Sequence, residues 1–135
     1  MSVIYDLTES HINQLTELYQ HEWWTKGRTL SETKQCVAGS QICIGLLNHN
    51  QDLVAFARLL TDYTFKAIIF DVIVSSQYRK DGLGKRLVEL IKSHPKLASV
   101  KSFELYCLPE LMPFYESLGF SGDVGKIKLM RCVNA

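Results

Sequence analysis

The 135-residue sequence predicts one domain, residues 1–135, of the α/β (α+β) class, with a mixed, mostly antiparallel central sheet and helices on both faces. Three patterns predict it. Apolar residues recur at helical spacing in four segments and form short runs between polar turns elsewhere. The order is strand, two helices, three strands, helix, strand, helix, strands. The run from Phe65 to Val74 holds Ile68, Ile69, Phe70, Val72, Ile73 and Val74, so it is apolar on both faces and belongs in the middle of a covered sheet.

Val3 to Leu7 reads as a short first strand. Thr8 can cap a helix through Gln20, with Ile12, Leu15, Leu18 and Tyr19 on one face. His21 to Arg28 is a loop carrying Trp23 and Trp24. Ser31 is the expected cap of a second, short helix that stops at Gly39. Gln41–Leu47 and Leu53–Leu60 form a hairpin across the polar turn Asn48–Asp52. A turn near Asp62 leads into the central strand. After the loop from Ser75 to Asp81, Leu83, Leu87, Leu90 and Ile91 mark a helix that ends at His94-Pro95. Ser102–Cys107 is a strand, Pro109 suits the first turn of a helix through Leu118, and Gly119 stops it. Phe120 to Val133 is expected to close the chain as a hairpin turning near Asp123-Val124-Gly125.

The bulk properties exclude several functions. A net charge of +1 gives no general field for nucleic acid or an anionic membrane. The start lacks a signal-peptide pattern, and no apolar run is long enough to cross a bilayer. The four cysteines are scattered without zinc spacing, so no metal is expected, and free thiols suit a cytoplasmic location.

Arg79-Lys80-Asp81-Gly82-Leu83-Gly84-Lys85 places basic side chains and two glycines between a strand and a helix. Unpaired amides and partial positive charge at a helix start make a phosphate site. Glycine leaves the backbone open to close approach. A dinucleotide loop would put its first glycine directly after the strand, but Ser75–Asp81 intervene. A Walker loop needs Gly-Lys-Ser or Gly-Lys-Thr, and Gly84-Lys85-Arg86 is neither.

Gln77 to Gly84 resembles the Arg/Gln-x-x-Gly-x-Gly/Ala motif of the GNAT superfamily of N-acetyltransferases, with Arg79, Gly82 and Gly84 on its defining positions. Asp71-Val72-Ile73-Val74 is similar to that family's fourth strand. Phe114-Tyr115-Glu116-Ser117-Leu118-Gly119-Phe120 resembles its Phe-Tyr-x-x-x-Gly-Phe segment. The resemblance implies acetyl-CoA as acyl donor and an amine as acceptor. The pyrophosphate would sit on backbone amides from Arg79 to Lys85. The pantetheine would pair, strand-like, with Val72, Ile73 and Val74. Monomer and homodimer are both compatible with it.

Acetyl transfer needs a deprotonated amine, a donor for the oxyanion and a proton for the departing thiolate. The resemblance assigns the last role to Tyr115. Asp71 stands among apolar residues, where burial would raise its pKa toward that of a useful base; the alternative is a structural pair with Arg58. Glu104 is a second candidate base. Cys107 reads as a small buried apolar residue, and the Asn that the family often has after this strand is missing, with Leu108 and Pro109 in its place. On the acceptor side Trp23 and Trp24 suggest an amine pocket, one of them buried and one lining it. Arg58 could hold an acceptor carboxylate. The competing reading is a CoA-binding sensor without turnover.

Overall fold

The structure, a computed structural model, describes residues 1–134. Its elements in chain order are β1 (Ser2–Ile4), α1 (Glu9–Gln20), α2 (Leu30–Ala38), β2 (Ile42–Leu47), β3 (Leu53–Thr61), β4 (Lys66–Val74), α3 (Leu83–Lys92), β5 (Ser102–Leu105) and α4 (Met112–Glu116). Short 3₁₀ turns lie at Ser76–Tyr78, Pro95–Leu97 and Pro109–Leu111.

Local chemistry sets the boundaries. Thr8 caps α1, its hydroxyl accepting from the His11 amide at 3.2 Å. The α2 cap is Thr29, two residues before the Ser31 expected from sequence. Thr29 has Glu32 three positions on, and the two exchange side-chain and backbone hydrogen bonds at 2.9 and 3.1 Å. Ser31 has Lys34 at that offset and cannot form the reciprocal pair. In the β2–β3 turn Asn48 Oδ1 accepts from the amides of Asn50 and Asp52 at 2.9 and 3.0 Å.

The sheet order is β1-β2-β3-β4-β5. Neighbours are antiparallel except β4 and β5, which are parallel and joined through α3. Helices cover both faces. On one, Leu83, Leu87 and Ile91 of α3 pack on Ile42, Ile44, Leu46 and Ile69. On the other, Leu15 and Tyr19 of α1 pack on Cys43, Leu53, Phe56 and Ile73. All these side chains are removed from water, each contributing roughly 1.5–3 kcal/mol.

The expected C-terminal hairpin is not formed: the described part of Phe120–Val133 contains no strand. Its first arm would be Phe120-Ser121-Gly122, which has a single large apolar residue to anchor it. Ile127, Leu129, Met130 and Val133 are exposed.

Two irregularities of β4 shape the cleft beside it. Phe56 pairs with Ile73 and Arg58 with Phe70, so β4 advances three residues while β3 advances two. The resulting bulge holds Asp71 at φ +56°, a left-handed conformation unusual for a non-glycine residue. On its other side β4 pairs with β5 only as far as Ile69, opposite Leu105. Beyond that point the two strands part, and the edge from Phe70 to Val74 has no strand beside it.

Candidate active site

Where β4 and β5 part, a cleft of about 750 Å³ opens. Ile69, Phe70, Asp71 and Val72 of β4 form one wall, and Leu105 to Leu108 with Glu110, Leu111 and Tyr115 form the opposite wall. The α1–α2 loop supplies Glu22, Trp23, Trp24 and Arg28, and the C-terminal segment adds Leu129 and Arg131.

Tyr115, expected from sequence, is in this cleft. Its ring is buried against Val88 and Leu118 and flanked edge-on by Phe114 and Phe120 at 4.9 and 5.9 Å. Burial pushes its pKa up to about 12, helped by Cys107. The hydroxyl therefore stays protonated, as a proton donor to a thiolate requires. It makes no hydrogen bond among the described residues and is not a sealed-off polar atom, so it opens onto the cleft.

Asp71 also lines the cleft, with its side chain 4% exposed and fully engaged. Its Oδ2 accepts from Tyr19 Oη at 2.9 Å, Arg28 Nη1 at 2.7 Å and Arg58 Nε at 2.7 Å, and its Oδ1 accepts from Arg28 Nη2 at 3.2 Å. Burial pushes the carboxyl pKa up, but the two guanidiniums outweigh it and the net direction is down. The rise expected from burial alone is thus reversed, and a carboxylate held by two arginines is a weak base. Arg28 lies over the Tyr19 ring at 4.5 Å and Arg58 over Phe70 at 5.1 Å, which fixes both guanidiniums. Arg58 was expected at the acceptor; it is instead committed to Asp71 and is not among the cleft-lining side chains. Glu104 pairs with Lys66 at 2.7 Å and is not among the cleft-lining residues, although its neighbour Leu105 is.

The glycine loop stands at the end of the open β4 edge. Gly82 caps α3 at φ +72° and has no side chain to occupy the helix start. The amides of Leu83, Gly84 and Lys85 find no acceptor among the described residues. A Cβ on Gly84 would lie 3.4 Å from Phe114 Cζ, so the loop packs directly beside the helix that carries Tyr115. Lys80, Asp81 and Lys85 are exposed, and Leu83 is buried as the anchor of α3. Arg79 is ion-paired with Glu22 of the α1–α2 loop. Val72 lines the cleft and packs with Val74 against the α3-side core, while Ile73 turns into the α1-side core.

Two side-chain placements differ from expectation. Trp23 and Trp24 are both exposed, at 74% and 41%, and both line the cleft, so neither fills the core. Tyr19 and Thr25 occupy that interior instead. Cys107 is exposed at the cleft wall because β5 ends two residues before it. Partial desolvation and Glu110 push its thiol pKa up, which disfavours a nucleophilic thiolate. Glu22, Tyr106, Glu110 and Arg131 line the cleft without having been singled out in the sequence. They lie in loops and turns, where neither periodicity nor motif marks them. Among the described residues no cluster of three potential metal ligands occurs, and no helix is long and apolar enough to cross a membrane.

The family model for the Acetyltransferase (GNAT) family matches residues 4–120. The uncharacterized N-acetyltransferase ycf52 of Pyropia yezoensis is 32% identical over 132 residues, 94% of this chain and 75% of its own length. The chloroplastic GCN5-related N-acetyltransferase 1 of Arabidopsis thaliana is 39% identical over 77 residues, 57% of this chain but 39% of that protein. Among solved structures, a Xanthomonas campestris protein assigned to the GNAT family superposes with a TM-score of 0.82 at 26% identity, covering 99% of this chain and 94% of its own.

Proposed function

The chain belongs to the GNAT acetyltransferase family and is an acyltransferase of it, and from that premise we propose that it moves the acetyl group of acetyl-CoA to a primary amine by direct attack within a ternary complex. The observation that carries this reading is the continuity of three features. A helix start with free amides stands at Gly82–Lys85, an unpaired strand edge runs from Phe70 to Val74, and a protonated phenol lies across the cleft at Tyr115. A CoA thioester laid along that path would meet them in the order pyrophosphate, pantetheine, sulfur.

The pyrophosphate takes the amides and the charges of Lys80 and Lys85. Arg79 contributes its backbone amide, while its side chain stays paired with Glu22. The pantetheine amides extend the sheet along β4. The bulge at Asp71–Val72 turns the backbone just where the thioester carbonyl would arrive. The Ser75 N–H bonds Val54 on the β3 side, so by alternation the N–H groups of Val72 and Val74 face the open edge and are available for the oxyanion. Tyr115 then gives its proton to the leaving sulfur. Asp71 acts as a positioning residue: tied to α1, the α1–α2 loop and β3 through Tyr19, Arg28 and Arg58, it holds the bulge at a backbone angle that would otherwise relax. Trp23 and Trp24 wall the acceptor side, where aromatic faces suit an alkylammonium. Four unpaired thiols favour a reducing compartment, cytoplasm or chloroplast stroma.

The test is thiol release from acetyl-CoA against a panel of primary amines. Release with at least one amine, reduced about 100-fold in Tyr115→Phe with CoA binding intact, is the expected result. CoA binding without release for any amine would favour a sensor instead.

A further inference from the structure

If the cleft performs acetyl transfer, on which this inference rests, its charges also point to the group that receives the acceptor. Three carboxylates line it: Glu22, Asp71 and Glu110. The first is neutralised by Arg79 and the second by Arg28 and Arg58. Glu110 has no ion pair and accepts no hydrogen bond among the described residues. It sits in the 3₁₀ turn Pro109–Leu111, after β5 and before α4, so the same short segment carries Glu110 and Tyr115 to one wall. Trp23, Trp24 and Tyr106 share the cleft with it. The other charged or titratable groups there are Glu22, Arg28, Asp71, Cys107, Tyr115 and Arg131. Of the acidic ones, Glu22 and Asp71 are already spent.

We propose that Glu110 binds the acceptor as an ammonium ion and takes its first proton, which makes a basic alkylamine the substrate class. An alkylammonium with pKa ~10.4 is neutral in roughly one molecule in 2500 at pH 7, so the enzyme must recruit the charged form and deprotonate it in place. The step balances. The ammonium passes one proton to the Glu110 carboxylate, which returns it to water. The neutral amine attacks the thioester carbon, the new C–N bond forms and the C–S bond breaks. Tyr115 protonates the departing thiolate and is reprotonated by the second proton leaving nitrogen. One ammonium and one thioester give one amide, one thiol and one proton to solvent. The exposure of Glu110 fits this role, since a carboxylate at the mouth of the cleft can exchange its proton with bulk water on every cycle.

The test compares two acceptors in the full-length protein: an alkylamine charged at assay pH, and an arylhydrazine that is neutral there. In Glu110→Gln, kcat/KM for the alkylamine is expected to fall about 100-fold, with the hydrazine changed less than threefold. Glu110→Asp is expected to recover part of the loss. Melting temperature and CoA affinity should stay at wild-type values, because the side chain is exposed and unbonded. Equal losses for both amines, or no loss for either while the wild type turns over, would overturn the role of Glu110 alone. A wild-type protein that binds CoA yet acetylates neither amine would overturn acetyl transfer and the role of Glu110 with it.

Discussion

Replacing Asp71 with Asn separates a positioning carboxylate from a catalytic base. Asparagine tolerates the left-handed backbone at φ +56° as well as aspartate does, and it keeps one carbonyl oxygen, so shape and conformation are nearly conserved. What it removes is the charge that faces Arg28 and Arg58. It also turns an NH₂ group toward donors that now sit 2.7 to 3.2 Å from the carboxylate. Breaking a buried ion pair by removing one partner costs about 3–5 kcal/mol. The Arg28 side chain is 30% exposed and can turn to water, while Arg58 at 15% is more confined, so the lower end applies. At this chain length a loss of about 3 kcal/mol lowers Tm by roughly 10 °C. The pH dependence has a definite sign. The folded pKa of Asp71 lies below its ordinary value, so its stabilisation is complete above about pH 4 and is lost as pH falls through the folded pKa. The Tm gap between the wild type and Asp71→Asn should therefore be constant from about pH 5 to 8 and close only in acid. Scanning calorimetry across that range, beside steady-state kinetics, reads both quantities. An unchanged Tm with kcat down 100-fold or more would contradict a positioning role and return Asp71 to the role of base.

Further outcomes follow from the same geometry. Because burial holds the Tyr115 pKa near 12, the ratio of wild-type to Tyr115→Phe kcat should stay about 100 from pH 7 to pH 10, as pH–rate profiles of the two proteins would reveal. Gly82→Ala places a Cβ in open space but at φ +72°, so it should cost about 1–2 kcal/mol in thermal melts through backbone strain rather than collision. Glu22→Gln releases Arg79 from its ion pair, and calorimetric titration should show CoA binding a few-fold tighter, with the gain fading at high salt.

Much of the frame was legible because local rules and tertiary demands agree. Two runs either side of a polar turn marked the β2–β3 hairpin, and a run apolar on both faces marked β4 as interior. Pro109 and Gly119 bracketed the segment that carries Tyr115, where Gly119 takes φ +96°. The disagreements have physical causes. Ser31 was a plausible cap by residue type, but the reciprocal pair requires Glu32, and Thr29 holds that register. The C-terminal segment has strand-like alternation in Lys126–Val133, yet its partner arm is short and mostly serine and glycine, too little to hold a hairpin. The pairing of Asp71 with Arg58 was among the sequence alternatives. The contribution of Arg28 spans 43 residues and passes through a loop, and no periodicity reports such a distance. Glu22 and Glu110 were invisible for the same reason: what matters about them is which arginines they lack or own.

The parting of β4 from β5 has a consequence beyond chemistry. A row of free amide and carbonyl groups on an apolar strand is a template for self-association, the hazard that proteins usually blunt at sheet margins with charge or proline. From Phe70 to Val74 this chain does neither on the open side, apart from the occupied Asp71. The donor molecule would cap that margin itself. Cells rich in acyl-CoA would then keep the protein monodisperse as well as active, with saturation at 100 times Kd adding about 2.7 kcal/mol to the folded state. Light scattering during CoA depletion would register the exposed strand as aggregation before any loss of secondary structure.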